Sequence, residues 1–372
     1  MRSDGASTPR RRLLGAAAAL AGVAALAPAR AATSAATRAP ATPRVSIVDD
    51  LQRSVPLVLP LQRVVIFNRY TTEFVRALGA MDAVVGTDID VARHGRYWPT
   101  VTREMFAGSG GMSPNYEAIV AMRPDAVLMP RNSDWARAAT LLAPMGIAVV
   151  VVTAWDYLKH EFNVELLGRL FAQPQRAAEL NRWFRGWRAR LDERIAPIAL
   201  ADRPRVYFEE VGDWRSVLPG SGWHDMIEAA GGRNLFGDVR LGDPASPRGS
   251  VNNFVVDPEE VLERRPDVIV KLQPGQYEPH PREFAREVLE QMARRPALSA
   301  LPAVRAQRLY HLSYYLAGGC SKITGALQLA QWLHPQRLRG LEPLQAMDEW
   351  LERWQGVPRQ RGYAWSMAEL RA

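Results

Sequence analysis

Asn115-Tyr-Glu-Ala-Ile-Val-Ala-Met-Arg-Pro-Asp-Ala-Val-Leu is echoed 142 residues later by Asp257-Pro-Glu-Glu-Val-Leu-Glu-Arg-Arg-Pro-Asp-Val-Ile-Val. In this register Glu117 falls on Glu259, and Arg123-Pro124-Asp125 falls on Arg265-Pro266-Asp267. Each copy reads as a short amphipathic helix, a break at Arg-Pro-Asp, and a β-branched apolar run that suits a buried strand. A looser pair sets Glu73–Gly79 against Asp225–Gly231. Two amphipathic helices can resemble each other by chance, but a shared helix-break-strand junction favours duplication of a whole lobe.

Working outward, Val64–Phe67, Val84-Val85, Ala126–Met129 and Ala148–Val152 read as buried strands, and helix-like stretches separate them. That alternation predicts a parallel sheet in an α/β lobe over residues 45–160. Asn163–Pro197 differs: it is helical in pattern, is interrupted early by Pro174, and contains no strand. A long connecting helix is therefore expected within 161–200, Arg176–Ala196 alone spanning about 30 Å. Strands resume at Arg205–Phe208, Val268–Val270 and Leu309–Leu312, giving a second lobe over 201–356 and a tail at 357–372.

The chain has 372 residues, a formal charge of +8, 47% hydrophobic residues, 23% charged residues and one cysteine. Half of the charge lies in residues 1–31, where Arg2, Arg10, Arg11, Arg12 and Arg30 outnumber Asp4. This basic start, the apolar run Leu13–Leu26 and the small-residue end Ala29-Arg30-Ala31 have the layout of a cleaved export signal. Its paired arginines resemble those of a twin-arginine signal, although Pro9 stands where Ser or Thr is preferred. Residues 32–44, rich in Ala, Thr and Pro, read as a disordered linker. With Cys320 alone, no intrachain disulfide or multi-cysteine zinc site is available, and no cysteine near the signal can carry a lipid. The expected product is a soluble exported protein. The near-balanced charge of the remainder speaks against a nucleic-acid partner.

Catalytic signatures are absent: there is no G-x-x-x-x-G-K-S/T, H-E-x-x-H or G-x-S-x-G. The six histidines show no metal-ligand spacing, although His94, His224 and His280 lie in or near loops and could cluster across lobes. Arginine supplies 44 of the 47 basic residues, the lysines being Lys159, Lys271 and Lys322. Several arginines sit beside aromatics in loops expected after strands: Arg69-Tyr70, Arg96-Tyr97-Trp98, Arg131 with Trp135, and Trp214-Arg215. Open α/β sheets bind ligands at the carboxyl ends of their strands, so these loops are candidates to line a cleft.

These residues resemble the periplasmic binding proteins of ABC importers, in the class that carries iron–siderophore complexes, haem and cobalamin. The resemblance runs over roughly 44–356. It rests on Pro60-Leu-Gln-Arg-Val-Val, Ala77-Leu-Gly-Ala with Val84-Val-Gly, Ser113-Pro-Asn-Tyr-Glu-Ala-Ile with Arg123-Pro-Asp, Gly220-Ser-Gly-Trp before Ile227-Glu-Ala-Ala-Gly-Gly-Arg-Asn, Val256-Asp-Pro-Glu-Glu-Val-Leu, and Ala330-Gln-Trp-Leu-His-Pro, in that order.

The resemblance implies two Rossmann-like α/β lobes joined by one long helix, a largely preformed cleft, and a non-enzymatic, monomeric protein. It implies that Glu117 and Glu259 dock with the membrane permease. It implies ligand contacts from Arg69, Tyr70, Tyr97, Trp98, Arg131, Trp214, Arg215, Tyr315 and Lys322. No catalytic residue, protein-held metal or cofactor is expected; the cargo is expected to be a metal chelate. Aromatics with arginines suit an anionic ferric siderophore best, with haem, cobalamin or a molybdate-type oxyanion as alternatives. For haem, Tyr70, Tyr97 or His94 would be the iron ligand. An exported metal-dependent enzyme is the rival from another class.

Overall fold

The computed structural model describes residues 43–240, 253–275 and 277–372; the expected export signal and nearly all of the linker lie outside them. Two sheets organise the chain. The first is five-stranded and wholly parallel, in the spatial order Phe106–Gly108, Val84–Asp88, Val64–Ile66, Ala126–Met129, Ala148–Val151. A hairpin of Val45–Val48 and Ser54–Leu57 precedes it. The second sheet runs Asn253–Val255, Arg215–Val217, Arg205–Glu209, Val268–Gln273, Leu309–Ser313, Ala364–Ser366, with Arg233–Asn234 also pairing beside Arg205–Glu209. Its central strands are parallel and its edges antiparallel. The central strands are buried along almost their whole length, which is why they read as apolar runs rather than as alternating ones.

The duplicated segments take the same local structure. Asn115 caps Tyr116–Met122 and Asp257 caps Pro258–Arg264 through their side chains. Each helix ends on an arginine in the left-handed region, Arg123 and Arg265, both at φ 48°. Asp125 then accepts the backbone N–H of Arg63 at 2.8 Å, and Asp267 that of Arg205 at 2.8 Å. Each arginine side chain also donates to the last turn of the neighbouring helix, at Met122 and Arg264. The 142-residue offset therefore also relates Arg63 to Arg205 and strand Val64–Ile66 to the start of Arg205–Glu209.

Between the sheets lie two helices rather than one. His160–Leu170 stops at Ala172, whose φ is 54°, and Pro174 opens a 22-residue helix to Ile195. Proline suits a first helical turn, where its missing N–H is not needed. The long helix buries Leu180, Phe184, Trp187, Leu191 and Ile195, a stripe at helical spacing. One apolar cluster continues from Val64 and Leu128 of the first lobe through Phe184 and Leu191 to Val206, Val270 and Leu312 of the second. The expected tail at 357–372 is corrected: Ala364–Ser366 extends the second sheet, and Tyr363, Met367 and Leu370 are buried. Their apolar surface closes the sheet edge, which makes docking more favourable than a solvated tail.

Candidate functional site

The carboxyl ends of the first sheet face the second lobe across a cavity of about 290 Å³. Asn68, Arg69 and Tyr70 enter it after strand Val64–Ile66, Asp88 at the end of Val84–Asp88 and Asp90 just beyond it, Asn132 after Ala126–Met129, and Trp155 after Ala148–Val151. The second lobe contributes Trp223, Tyr314 and Lys322. Aromatic rings thus stand on both walls: Tyr70 lies edge-on to Trp155 at 6.3 Å in one lobe, and Trp223 edge-on to Tyr314 at 5.2 Å in the other. Three of the predicted contacts, Arg69, Tyr70 and Lys322, meet here.

Arg69 is held by its neighbours. Asn68 caps the helix Arg69–Ala77 by accepting the N–H of Tyr70 at 3.1 Å, which fixes the direction of the first turn. The Arg69 guanidinium lies 4.9 Å from the Tyr70 ring and 4.8 Å from the Tyr314 ring, bridging the lobes, and donates to the Tyr70 hydroxyl at 3.0 Å. Lys322 is positioned by a strained turn: Cys320, Ser321 and Lys322 all have positive φ. Such a run persists only where the surroundings over-determine it. Here Ser321 Oγ donates to the Ala154 carbonyl at 2.9 Å and pairs with His160 Nδ1 at 2.9 Å, while Lys322 Nζ donates to the Trp155 carbonyl at 2.7 Å. The ammonium also lies 4.4 Å from the Trp223 ring centre. Two glycines make this geometry possible. A Cβ at Gly318 would lie 2.1 Å from the Tyr70 hydroxyl, and one at Gly222 would lie 2.9 Å from Lys322 Cε.

Burial lowers the Lys322 amine to about 7, with Asp156 opposing the shift. Burial likewise raises the Asp88 carboxyl to about 7, and neighbouring Asp90 adds to the rise. The ionisable groups lining the cavity are two basic, Arg69 and Lys322, and two acidic, Asp88 and Asp90. The cleft is therefore polar without a strong excess of either sign.

The other predicted contacts lie elsewhere. Tyr97, Trp98 and Tyr315 are fully buried in an aromatic cluster between the lobes. Tyr97 stacks on Tyr277 at 3.9 Å and hydrogen-bonds Tyr315 hydroxyl to hydroxyl, and Arg76 lies 3.5 Å from the Trp98 ring centre. Arg131, between the lining residues Pro130 and Asn132, is paired with Asp156 at 2.5 Å and donates to the Gly220 carbonyl at 3.4 Å. Trp214 and Arg215, in the second lobe, do not line the cavity. The Trp214 N–H donates to Glu209, which also pairs with Lys271 at 2.7 Å and Arg295 at 2.8 Å, and Arg215 donates to Asn253. Trp155, Trp223, Asp88, Asp90 and Asn132 are among the lining residues that the aromatic–arginine pattern did not single out. Position at the carboxyl end of a strand, a signal already used for the Asn68-Arg69-Tyr70 loop, would have found Asp88 and Trp155.

His94 pairs with Glu278 at 3.5 Å across the lobes, His280 packs against His311 at 4.8 Å, and His224 contacts Asn234. Among the described residues, no group of three His, Cys, Asp or Glu side chains is placed to hold a metal ion. No described helix is long and apolar enough to cross a membrane. Glu117 and Glu259 are both exposed, each in the first turn of its repeated helix.

Comparison with known proteins agrees with this architecture. The chain is 32% identical over 220 residues to a cobalamin-binding protein of Halobacterium salinarum, an alignment covering 56% of this chain and about half (53%) of that protein's length. It is 26% identical over 220 residues to a vitamin B12-binding protein of Yersinia pestis, covering 58% of this chain and 71% of the other. Among solved structures, the molybdate periplasmic binding protein MolA of Haemophilus influenzae superposes with a TM-score of 0.69 at 19% identity, covering 85% of this chain and 99% of that one. That last likeness speaks for the fold. The profile of the periplasmic binding protein family matches residues 64–315, about two thirds of the chain, and with two α/β lobes joined through a long helix this protein belongs to that family.

Proposed function

We propose that this protein is the extracytoplasmic solute-binding component of an ABC importer and that its cargo is a corrinoid of the cobalamin type. The observation that carries the ligand class is the make-up of the cleft: aromatic rings on both walls, with Arg69 and Lys322 offset by Asp88 and Asp90. Flat aromatic walls suit a large ring-like chelate. Near balance of charge suits a ligand whose periphery is amide rather than carboxylate. An anionic ferric siderophore, the expectation from arginine–aromatic pairs alone, would meet two carboxylates, while Arg131 and Arg215 are engaged by Asp156 and Asn253. The similarity to cobalamin-binding and vitamin B12-binding proteins supports the same choice. A cavity of about 290 Å³ is at the small end for ligand sites, so a corrinoid enters by one edge and projects through the mouth.

In this reading the protein works by capture and release, without turnover. It is exported by the arginine-rich amino-terminal signal and acts as a monomer in the periplasm. Exposed Glu117 and Glu259, at matching positions of the two lobes, orient it on the permease by charge. Tryptophan fluorescence titration with cyanocobalamin, a ferric siderophore, haem and molybdate tests the proposal. Saturable quenching by cyanocobalamin is expected. Saturation only by one of the other three would overturn the ligand assignment.

A further inference from the structure

Asn68 and Asp88 occupy neighbouring strand ends, because Val64–Ile66 and Val84–Asp88 are paired with Ile66 opposite Thr87. Adjacent strands lie about 4.8 Å apart, which is the scale of one small planar polar group. Both residues line the cleft, and both are more than nine-tenths buried. Their hydrogen-bonding is complementary. Asn68 commits Oδ1 to the Tyr70 N–H, and its buried Nδ2 has no partner among the described residues. Asp88 commits Oδ1 to the N–H groups of Asp90 and Val91, at 3.1 and 3.3 Å, and as a carboxylate it offers acceptors only. An unfilled donor beside an acceptor, out of water, is costly unless a ligand group satisfies it.

From this juxtaposition we infer that Asn68 and Asp88 form a subsite for a primary carboxamide of the ligand rim. The Asn68 side-chain N–H donates to the amide oxygen and Asp88 accepts an amide N–H. With Asp88 ionised, above its raised value of about 7, a carboxylate in the same place satisfies Asn68 but sets two anionic oxygens against each other, so at pH 8 and above the subsite selects amide over acid. Asp90, also in the cleft, adds to that discrimination by its charge. Lys322 stands on the opposite wall and is tied to the Trp155 carbonyl, so it is not the group that meets this edge. The inference rests on the corrinoid reading and deepens it by naming which chemical feature of the rim is read.

The test compares cyanocobalamin and cobinamide, whose rims carry amides, with the hydrolysed corrinoid whose rim amides are carboxylates. At pH 8.5, where Asp88 is ionised, wild type is expected to prefer the amide forms by about tenfold or more. Asp88→Asn keeps the helix cap, since Asn caps as well as Asp, and should cut that preference about tenfold by admitting the acid. Asn68→Asp keeps its cap too and should weaken the amide forms about tenfold. Thermal melting of each variant establishes that it folds. Corrinoid binding with the same amide-to-acid ratio in wild type and Asp88→Asn would overturn the subsite and leave the proposed function standing. Failure of every corrinoid to bind wild type would overturn the proposed function, and the subsite with it.

Discussion

Glu73 is a carboxyl with no place in the cleft and no hydrogen-bond partner among the described residues. It is fully buried under Gly319 and the Tyr97–Tyr277–Tyr315 cluster, and burial pushes it up to about 8 against the pull of Arg69 and Arg76. A carboxyl near 4.5 when unfolded and about 8 when folded favours the native state while it is neutral. That contribution is lost as pH rises from about 4.5 through about 8, because the unfolded chain ionises first. Glu73→Gln should therefore leave the melting temperature nearly unchanged at pH 5 and raise it by a few degrees at pH 8.5. Melting curves at the two values check this, and an equal effect at both would show that ionisation plays no part. Lys322 has the opposite sign: an amine near 10.5 unfolded and about 7 folded costs increasing stability as pH falls from about 10.5 to about 7. Lys322→Met should flatten that slope in a pH series of urea denaturations.

At the scale of elements, the turn Gly318–Lys322 carries the second lobe's side of the site. It has no room for a Cβ at Gly318, where the Tyr70 hydroxyl would be 2.1 Å away. Gly318→Ala should cost about 1–3 kcal/mol and displace Tyr70 from the cleft wall, read as a shifted urea midpoint together with weaker ligand binding. Unchanged binding would mean that Tyr70 can move without consequence. This turn also marks where the sequence stops being legible. The central strands and the repeated helix-to-strand junctions could be read directly, because burial on both faces writes an unbroken apolar run and Arg-Pro-Asp breaks a helix recognisably. Arg69 and Tyr70 could be expected on the cavity wall because they follow a strand, and Lys322 because of the resemblance; all three line it. Tyr97, Trp98 and Tyr315 were not separable from them by pattern: an aromatic beside an arginine looks the same whether it faces a ligand or, as with Arg76 over Trp98, packs in the core. That Trp155 and Trp223 line one cavity from different lobes depends on bringing together residues 68 apart in sequence, which local spacing does not encode. The edge strand Ala364–Ser366 is short and half-buried, so its alternation is too brief to distinguish from a loop.

At the scale of the whole molecule, the two lobes share a continuous apolar cluster through the long helix, and polar links such as Lys322 to Trp155 and Arg76 to the Gln355 carbonyl join them. Ligand capture therefore calls for modest adjustment around a shaped cleft rather than wide separation of the lobes. The matched positions of Glu117 and Glu259 carry a separate prediction. Reversing both to arginine should abolish uptake in cells while leaving ligand affinity within about twofold, since exposed charges away from the cleft mainly govern encounter and orientation. Retained uptake would remove the docking role. The central claim, that a corrinoid is held between aromatic walls contributed by both lobes, is tested most directly by calorimetric titration of cyanocobalamin into wild type and into the Trp155→Ala/Trp223→Ala variant. The account predicts one site per monomer in wild type and an affinity lower by about 100-fold or more in the variant. No binding to wild type, or equal affinity in the two proteins, would contradict it.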